Sequence, residues 1–382
     1  MKKLLLLSAY SLAFLFTGCR NPLPVRPSNA PRDAKSVLQQ LADDYIRRSG
    51  NTCIVAGALF PDGREVVVHA GRADPENATI PLGEDTLFAI ASITKNIVAI
   101  AALEAAKAGR VDLDASVLTY AEEPLPEIYR RVTLRDLLYH RSGLPRESLG
   151  FLDVPEILDC WFFGGDIYKD ASSRAGLYRT LRGTRCVRAV KRAKPEYSNI
   201  GFGLLGILLE NATGEDIPSL VKRYVTQPFG MKDTTFVPQG TQRDRLAAPT
   251  AGDVPKLVRR GHRVPVHQLG DGLRATGGLY STARDLLCFI RHFLLEKQML
   301  QQFRQQIHEK QDGNLHFNHV LNITPKGHRM LYRWGMFYGY ASFVGTDVET
   351  GITVVLLRSG TDWPDKLGAI FLETLNDLES RD

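Results

Sequence analysis

The hydrophobic pattern near the start of the chain changes from helical spacing to two short β-rich runs. Residues 34–48 have apolar positions at helical intervals and predict an amphipathic helix. Residues 53–60 and 65–70 are rich in β-branched side chains, and Pro61-Asp62-Gly63 between them is typical of a tight turn. We therefore expect a helix followed by a β-hairpin.

The end of the chain mirrors this arrangement. Residues 341–346 and 352–358 have strand-like patterns, with a turn at 349–351 between them, and residues 364–378 predict a helix. Strands at both ends that enclose a long helical middle predict a single sheet assembled from the two termini. The fold class is therefore α/β, with a sheet lobe at 37–80 and 328–382 and a mainly helical lobe at 81–327.

The first residues have the pattern of an export signal. Lys2 and Lys3 precede an apolar run that is too short for a membrane span, and Thr17-Gly18-Cys19 resembles a bacterial lipoprotein cleavage site. We expect a signal peptide at 1–18, a lipid on Cys19, and a tether at 19–36 that leads to a domain at 37–382. The protein would then be exported, anchored in the bacterial envelope and facing the periplasm. A plain secretory signal is the alternative.

Composition excludes several other classes of protein. The chain has 382 residues, of which 44% are hydrophobic and 24% charged, as in ordinary globular proteins. The net charge of +6 is spread out, so we expect no nucleic-acid partner. No H-E-x-x-H, P-loop, dinucleotide or G-x-S-x-G motif is present. His316 and His319 form no recognised metal-binding motif with acidic or cysteine residues, so we expect them in a surface loop. We expect no metal and no cofactor.

Cysteine use is compatible with an oxidising compartment. Apart from Cys19, the chain has Cys53, Cys160, Cys186 and Cys288. A Cys160–Cys186 bridge and buried free thiols are both compatible with the sequence.

The first candidate for chemistry is the pair Ser92 and Lys95. Both lie at the start of an apolar segment that ends at Gly109 and predicts a buried central helix. Positions i and i+3 share a helix face, so Lys95 can lie one turn from the Ser92 hydroxyl. A serine is a weak nucleophile until a base removes its proton, and a lysine desolvated by burial can be that base.

A second candidate, Tyr197-Ser198-Asn199, follows about a hundred residues later. Tyr197 can relay a proton and Asn199 can hold a substrate amide. Either motif arises alone by chance, but the two in this order predict serine acyl chemistry.

Five segments now carry a family resemblance. They are FAIASITK (88–95), GRVDLD (109–114), VTLRDLLYHRSGLP (132–145), YSNIGF (197–202) and ATGGLYST (275–282). With these segments in order, the chain from about residue 37 resembles the serine β-lactamase and penicillin-binding superfamily, specifically the class C β-lactamase and D-alanyl-D-alanine carboxypeptidase/esterase branch. The resemblance implies a β-lactamase/transpeptidase-like fold with an antiparallel sheet.

The same resemblance implies roles for individual residues. Ser92 would form an acyl-enzyme, Lys95 and Tyr197 would share proton transfer, and Asn199 would orient the substrate amide. The identity of the acylation base is disputed for this family, so both candidates stay open. His140, within the third segment, is expected to be structural.

The third family motif departs from its usual Lys-Thr-Gly or His-x-Gly form. Counting back from residues 339–343 places Arg333-Trp334-Gly335 on an edge strand that faces the serine. Arg333 can grip a substrate carboxylate, and Gly335 allows close backbone approach. Met336 would supply an oxyanion amide beside that of Ser92. Trp334 replaces a small hydroxyl residue.

The resulting hypothesis is a serine hydrolase that acts through an acyl-enzyme on amide bonds. D-alanyl-ended cell-wall peptides or β-lactams are the expected substrates. A basic stretch at 185–194 is either a solvated loop face or a cationic rim for an anionic substrate. Two alternatives are a carboxylesterase or amidase on the same fold, and a catalytically silent envelope binding protein.

Overall fold

The computed structural model describes residues 23–24, 33–147, 154–169, 171–183, 195–292 and 320–380. The expected signal peptide 1–18, Cys19, most of the tether, Cys186, the basic stretch 185–194, His316 and His319 lie outside the described residues. Cys53, Cys160 and Cys288 are free thiols in the described part of the chain. The Cys160–Cys186 bridge stays a possibility, because Cys186 lies outside the described residues. No helix in the described ranges is long and apolar enough to cross a membrane.

A six-stranded antiparallel sheet joins the two ends of the chain, in the order β2-β1-β8-β7-β6-β5. Its strands are β1 (Cys53–Leu59), β2 (Glu65–Gly71), β5 (Val320–Ile323), β6 (Arg329–Phe337), β7 (Tyr340–Asp347) and β8 (Thr353–Ser359). Every residue of β1, β7 and β8 is buried, whereas β2 at the sheet edge alternates towards solvent. The β-rich runs of the sequence therefore become the covered centre of the sheet.

Two terminal helices cover the outer face of the sheet. They are α1 (Ala34–Ser49) and α11 (Asp365–Glu379). The Asp33 side chain caps α1 at its start, and Gly50 ends it in the left-handed conformation. Apolar residues of both helices form one core with the outward side chains of the sheet.

A mainly helical lobe covers the inner face and forms the larger core. Its helices are α2 (Thr94–Lys107), α3 (Val117–Tyr120), α4 (Leu134–Leu138), α5 (Val154–Phe163), α6 (Arg174–Gly183), α7 (Asn199–Thr213), α8 (Ile217–Val221), α9 (Arg274–Gly277) and α10 (Ala283–Ile290). A short ladder of β3 (Phe88–Ala89) with β4 (Tyr280–Ser281) links them. The predicted α/β fold, with one sheet from both chain ends and a helical middle, is confirmed.

Two details of the expected arrangement need correction. Helix α1 begins at Ala34, inside the range 19–36 assigned to the tether, because Asp33 caps it there. The sheet also contains β5, which precedes the range 328–382. The other domain limits stay predictions.

A buried ionic network ties the outer helix α1 to the strand β8. Asp362 accepts hydrogen bonds from Arg358 (2.9 Å), Arg260 (2.8 Å) and Asn51 (2.6 Å). The side chains of Arg358 and Asp362 are 1% and 0% exposed. Tyr45 of α1 contacts both Asn51 and Arg358. A buried carboxylate between two guanidinium groups offsets their desolvation, so each group depends on the others.

We expect Asp362→Ala to lower the free energy of unfolding by about 3–5 kcal/mol, because it leaves buried positive charge without a counterion. Denaturant titration followed by circular dichroism measures the change. Glu127→Ala is the matched control, since it breaks an Arg130–Glu127 pair whose side chains are 69% and 70% exposed and should leave the midpoint unchanged. Equal midpoints for the two variants would contradict the prediction.

Candidate active site

The turn that carries Ser92 is strained and held from the sheet side. A 3₁₀ turn (Ala91–Ile93) connects β3 to α2, and Ala91 has a φ of +45°, in the left-handed region that alanine rarely adopts. The buried Ser342 hydroxyl of β7 donates to the Ile90 carbonyl at 2.7 Å. This contact fixes the residue before the turn, so that Ser92 lies at the start of the central helix α2.

Lys95 lies one helical turn from Ser92, as its spacing predicts. Its side chain is fully buried, and Nζ donates to Ser92 Oγ at 3.3 Å and to the Thr276 carbonyl. Burial lowers the pKa of Lys95 to about 8, with help from the charge of Arg333 and against the effect of Tyr197. Lys95 therefore loses its proton at a lower pH than a solvent-exposed lysine does.

Tyr197 completes a three-residue cluster on the serine. Its hydroxyl donates to Ser92 Oγ at 2.7 Å. Three cations surround its ring, with Arg333 Cζ at 4.5 Å, Lys95 Nζ at 5.0 Å and Arg146 Cζ at 5.2 Å from the centroid. Burial raises the pKa of Tyr197, but Arg333 and Lys95 outweigh it and bring the pKa down to about 8. Tyr197 and Lys95 therefore titrate as a coupled pair.

The loop 140–147 holds the Tyr197 triplet in place. The Ser198 N–H donates to His140 Nδ1 at 3.2 Å, and the Ser198 hydroxyl donates to the Pro145 carbonyl at 2.6 Å. The His140 ring packs between Tyr197 and Phe202, with centroid distances of 4.7 and 5.1 Å. These contacts support the structural role expected for His140.

Strand β6 forms the other wall of the site. Strand β6 is not the edge strand that the sequence predicted, because β5 pairs with its positions 329–332. In the described part of the chain, no strand pairs with the second half of β6 on the side that faces the serine. Gly335 lies so close that an added Cβ would be 2.5 Å from the Ile90 carbonyl oxygen and 2.6 Å from the Ser92 nitrogen. Only glycine allows this approach. Met336 lines the same small cavity as Ser92.

Arg333 and Trp334 point to opposite faces of β6. Arg333 is 7% exposed and stacks over the Tyr197 ring. Within the described part of the chain, its Nε has no hydrogen-bond partner. Trp334 packs edge-to-face on Trp363, with ring centroids 4.9 Å apart, and contacts the outer core. The bulky replacement in the third motif is therefore accommodated outside the cleft.

Asn199 borders the same cavity, together with Thr276, Tyr168 and Met336. The structure thus gathers Ser92, Lys95, Tyr197, Asn199, Arg333, Gly335 and Met336 around one cleft between the lobes. Their catalytic and binding roles stay predictions. No cluster of three metal-ligating side chains occurs among the described residues.

The sequence reasoning missed Glu147 and left Thr276 without a role. Glu147 Oε1 accepts from Asn199 Nδ2 at 2.6 Å, and Oε2 accepts from the Tyr168 hydroxyl at 3.1 Å. Burial raises the pKa of Glu147, while Arg146 and Lys95 oppose this. The family-like segment 132–145 ends two residues before Glu147, and no local sequence pattern distinguishes this residue from a surface glutamate. Thr276 lies inside the family-like segment 275–282. It contacts Lys95 through its backbone carbonyl, so the identity of its side chain gives no indication of this role.

The charge of Arg333 should set the pH dependence of the serine. A fluorophosphonate that labels Ser92 should react with an apparent pKa near 8 in the wild type, where the Tyr197–Lys95 pair loses a proton. In Arg333→Met, loss of the positive charge raises the pKa of both groups, so the profile moves to higher pH and labelling at pH 7 falls several-fold. Arg333→Lys, which keeps the charge, is the control. An unshifted profile in Arg333→Met would show that Arg333 does not tune the pair.

Comparison with known proteins gives both sequence and structural relatives. D-alanyl-D-alanine-carboxypeptidase/endopeptidase AmpH of Escherichia coli K12 is 28% identical over 308 residues, which cover 77% of this chain and 70% of that protein. Esterase EstB of Burkholderia gladioli is 27% identical over 337 residues, covering 76% and 81%.

Solved structures share the fold. A β-lactamase/D-alanine carboxypeptidase from Yersinia pestis, complexed with citrate, has a TM-score of 0.66 at 21% identity and covers 87% of this chain and 95% of its own. A class C β-lactamase from Rhodobacter sphaeroides has a TM-score of 0.64 at 19% identity, covering 88% and 96%. The Beta-lactamase family model matches residues 40–374. The chain therefore belongs to the Beta-lactamase family, within the superfamily of serine β-lactamases and penicillin-binding proteins.

Proposed function

We propose that this protein hydrolyses amide bonds through an acyl-enzyme on Ser92, and that D-alanyl-ended cell-wall peptides are its substrates. The observation that carries the proposal is the position of Ser92 Oγ, 2.7 Å from the Tyr197 hydroxyl and 3.3 Å from Lys95 Nζ. A buried lysine and a half-buried tyrosine, both of lowered pKa, are placed to act as the base that activates the serine hydroxyl near neutral pH. β-Lactams would react at the same serine.

Acylation needs the proton of Ser92 to be removed and then returned to the leaving group. As Oγ bonds to the substrate carbonyl carbon, its proton passes to the Tyr197–Lys95 pair. When the C–N bond breaks, the departing nitrogen takes this proton and leaves as an amine. The backbone N–H groups of Ser92 and Met336 are the expected donors to the oxyanion, on either side of the close approach at Gly335.

Deacylation repeats these steps with water. Tyr197 accepts a proton from the attacking water, whose oxygen bonds to the acyl carbon. The ester bond to Ser92 then breaks, Oγ recovers a proton from the same pair, and the acid product leaves.

The positive charge of Arg333 on strand β6 supports the proposal that the substrate ends in a carboxylate. Arg333 is almost fully buried, and its Nε has no protein partner among the described residues. A substrate carboxylate that reached this guanidinium would satisfy it with a charge-assisted hydrogen bond. The likeness to the carboxypeptidase/endopeptidase AmpH agrees with this substrate class.

Esterase activity on the same scaffold is the second candidate. The likeness to esterase EstB favours it, as does the loss of the small hydroxyl residue at Trp334. Short acyl esters need no carboxylate contact, so an esterase would depend little on Arg333.

We also propose that the chain is exported and anchored in the bacterial envelope through a lipid on Cys19. The motif Thr17-Gly18-Cys19 after a basic and apolar leader supports this location. Cell-wall peptides lie in the same compartment, which makes the location and the substrate class compatible.

Purified protein should release D-Ala from a diacyl-Lys-D-Ala-D-Ala peptide and gain the mass of a penicillin after incubation with the drug. Ser92→Ala should do neither, because it removes the nucleophile, whereas Ser219→Ala, on the exposed surface, should behave as the wild type. Enzymatic D-Ala detection and intact-protein mass spectrometry measure the two results. Turnover of short acyl esters alone would identify an esterase, and no adduct or turnover with any probe would indicate a silent binding protein.

Labelling of cells with an alkyne fatty acid should mark the wild-type protein and fail to mark Cys19→Ser, because the lipid is attached to that thiol. In-gel fluorescence after affinity capture measures it. Equal labelling of both proteins would exclude Cys19 as the anchor, and processing without any lipid would point to a plain secretory signal.

A further inference from the structure

Glu147 is a carboxylate inside the cleft that the mechanism above does not use. Its side chain is only 11% exposed. Oε1 lies 2.6 Å from Asn199 Nδ2 and 3.6 Å from Arg146 Nε, and Oε2 lies 3.1 Å from the Tyr168 hydroxyl. Both oxygens thus receive donors, which is the environment of an ionised carboxylate.

The contact between Glu147 and Asn199 determines which end of the Asn199 amide is turned away from Glu147. An ionised carboxylate only accepts hydrogen bonds, so Asn199 must turn its NH₂ group towards Glu147. The opposite orientation would place the amide oxygen against a carboxylate oxygen at hydrogen-bond distance. The main chain of Asn199 is held beside Glu147, because its N–H donates to the Arg146 carbonyl at 2.9 Å.

In this orientation, Asn199 Oδ1 is the atom of the amide that does not contact Glu147. It is buried and has no hydrogen-bond partner among the described residues, although Asn199 lines the cavity beside Ser92. A buried acceptor without a partner costs about 1–3 kcal/mol, which a ligand that brings a donor can recover.

We propose that Glu147 is a positioning residue that turns Asn199 Oδ1 towards the acyl side of the substrate. The site would then select substrates with a nitrogen–hydrogen donor at that place. This inference rests on the proposed function. The donor is an amide N–H or an ammonium group. A substrate with an ester oxygen at this place would bring a second acceptor next to Asn199 Oδ1. The two oxygens would repel each other, so the site would bind such a substrate more weakly.

Boronic acids test this without any turnover, because Ser92 Oγ bonds to boron and its proton passes to the Tyr197–Lys95 pair. The matched probes are acetamidomethylboronic acid and acetoxymethylboronic acid, which differ only by N–H against O. The wild type should bind the acetamido probe at least about tenfold more tightly, the size of effect that one such contact gives. Calorimetry on the full-length protein measures both dissociation constants.

Glu147→Gln is the informative variant, since glutamine is both donor and acceptor and accommodates Asn199 in either orientation. The preference for N–H over O should fall to within about threefold. Glu147→Asp keeps an acceptor-only side chain and should retain the preference even if both probes bind more weakly. Glu156→Gln, on the exposed surface, is the matched control. A ratio of two affinities does not move when a variant is merely less stable.

Each result decides the matter. A preference that is equal in Glu147→Gln and the wild type, or absent from the wild type, overturns the inference while the proposed function stands. If neither probe binds, Ser92 is not a working nucleophile, and both proposals fail. Aminomethylboronic acid separates the two donors, because tighter binding than the acetamido probe identifies ammonium and weaker binding identifies amide N–H.

Discussion

The site depends on the close approach of the sheet to the serine turn. At Gly335 the backbone of β6 lies against the Ile90 carbonyl and the Ser92 nitrogen, and any side chain there would displace one of them. On the neighbouring strand, Ser342 binds the same Ile90 carbonyl. Sheet and helical lobe are therefore joined at the nucleophile itself, and the strained Ala91 persists because both sides hold it.

The second constraint is electrostatic. Three cations lie within 5.2 Å of the Tyr197 ring centroid, and they repel one another most strongly where Lys95 and Arg333 are buried. Glu147 supplies the opposing charge from the other side of Asn199. The pKa of Tyr197 is lowered although desolvation raises it, because the positive charges of Arg333 and Lys95 favour the phenolate more than desolvation disfavours it.

Sequence patterns predicted the parts of this protein that depend on local spacing. The Ser92–Lys95 contact follows from helix geometry, and the terminal strands follow from their β-branched runs. Recognition of the Tyr197 triplet needed family resemblance, because no local rule brings it to Ser92. The direction of Trp334 and the partners of Glu147 depend on the packing of distant segments. Strand β5 has only four residues and too little pattern to be recognised.

The pairing of β1 with β8 has a consequence for the newly made chain. About 300 residues separate the two strands, and at ordinary rates of synthesis they emerge roughly 15–60 s apart. Through that interval the hairpin of β1 and β2 exposes an unpaired, wholly apolar edge, which is a template for intermolecular association. We therefore expect delayed folding or a chaperone to protect the nascent protein from association until its last strands have been translated.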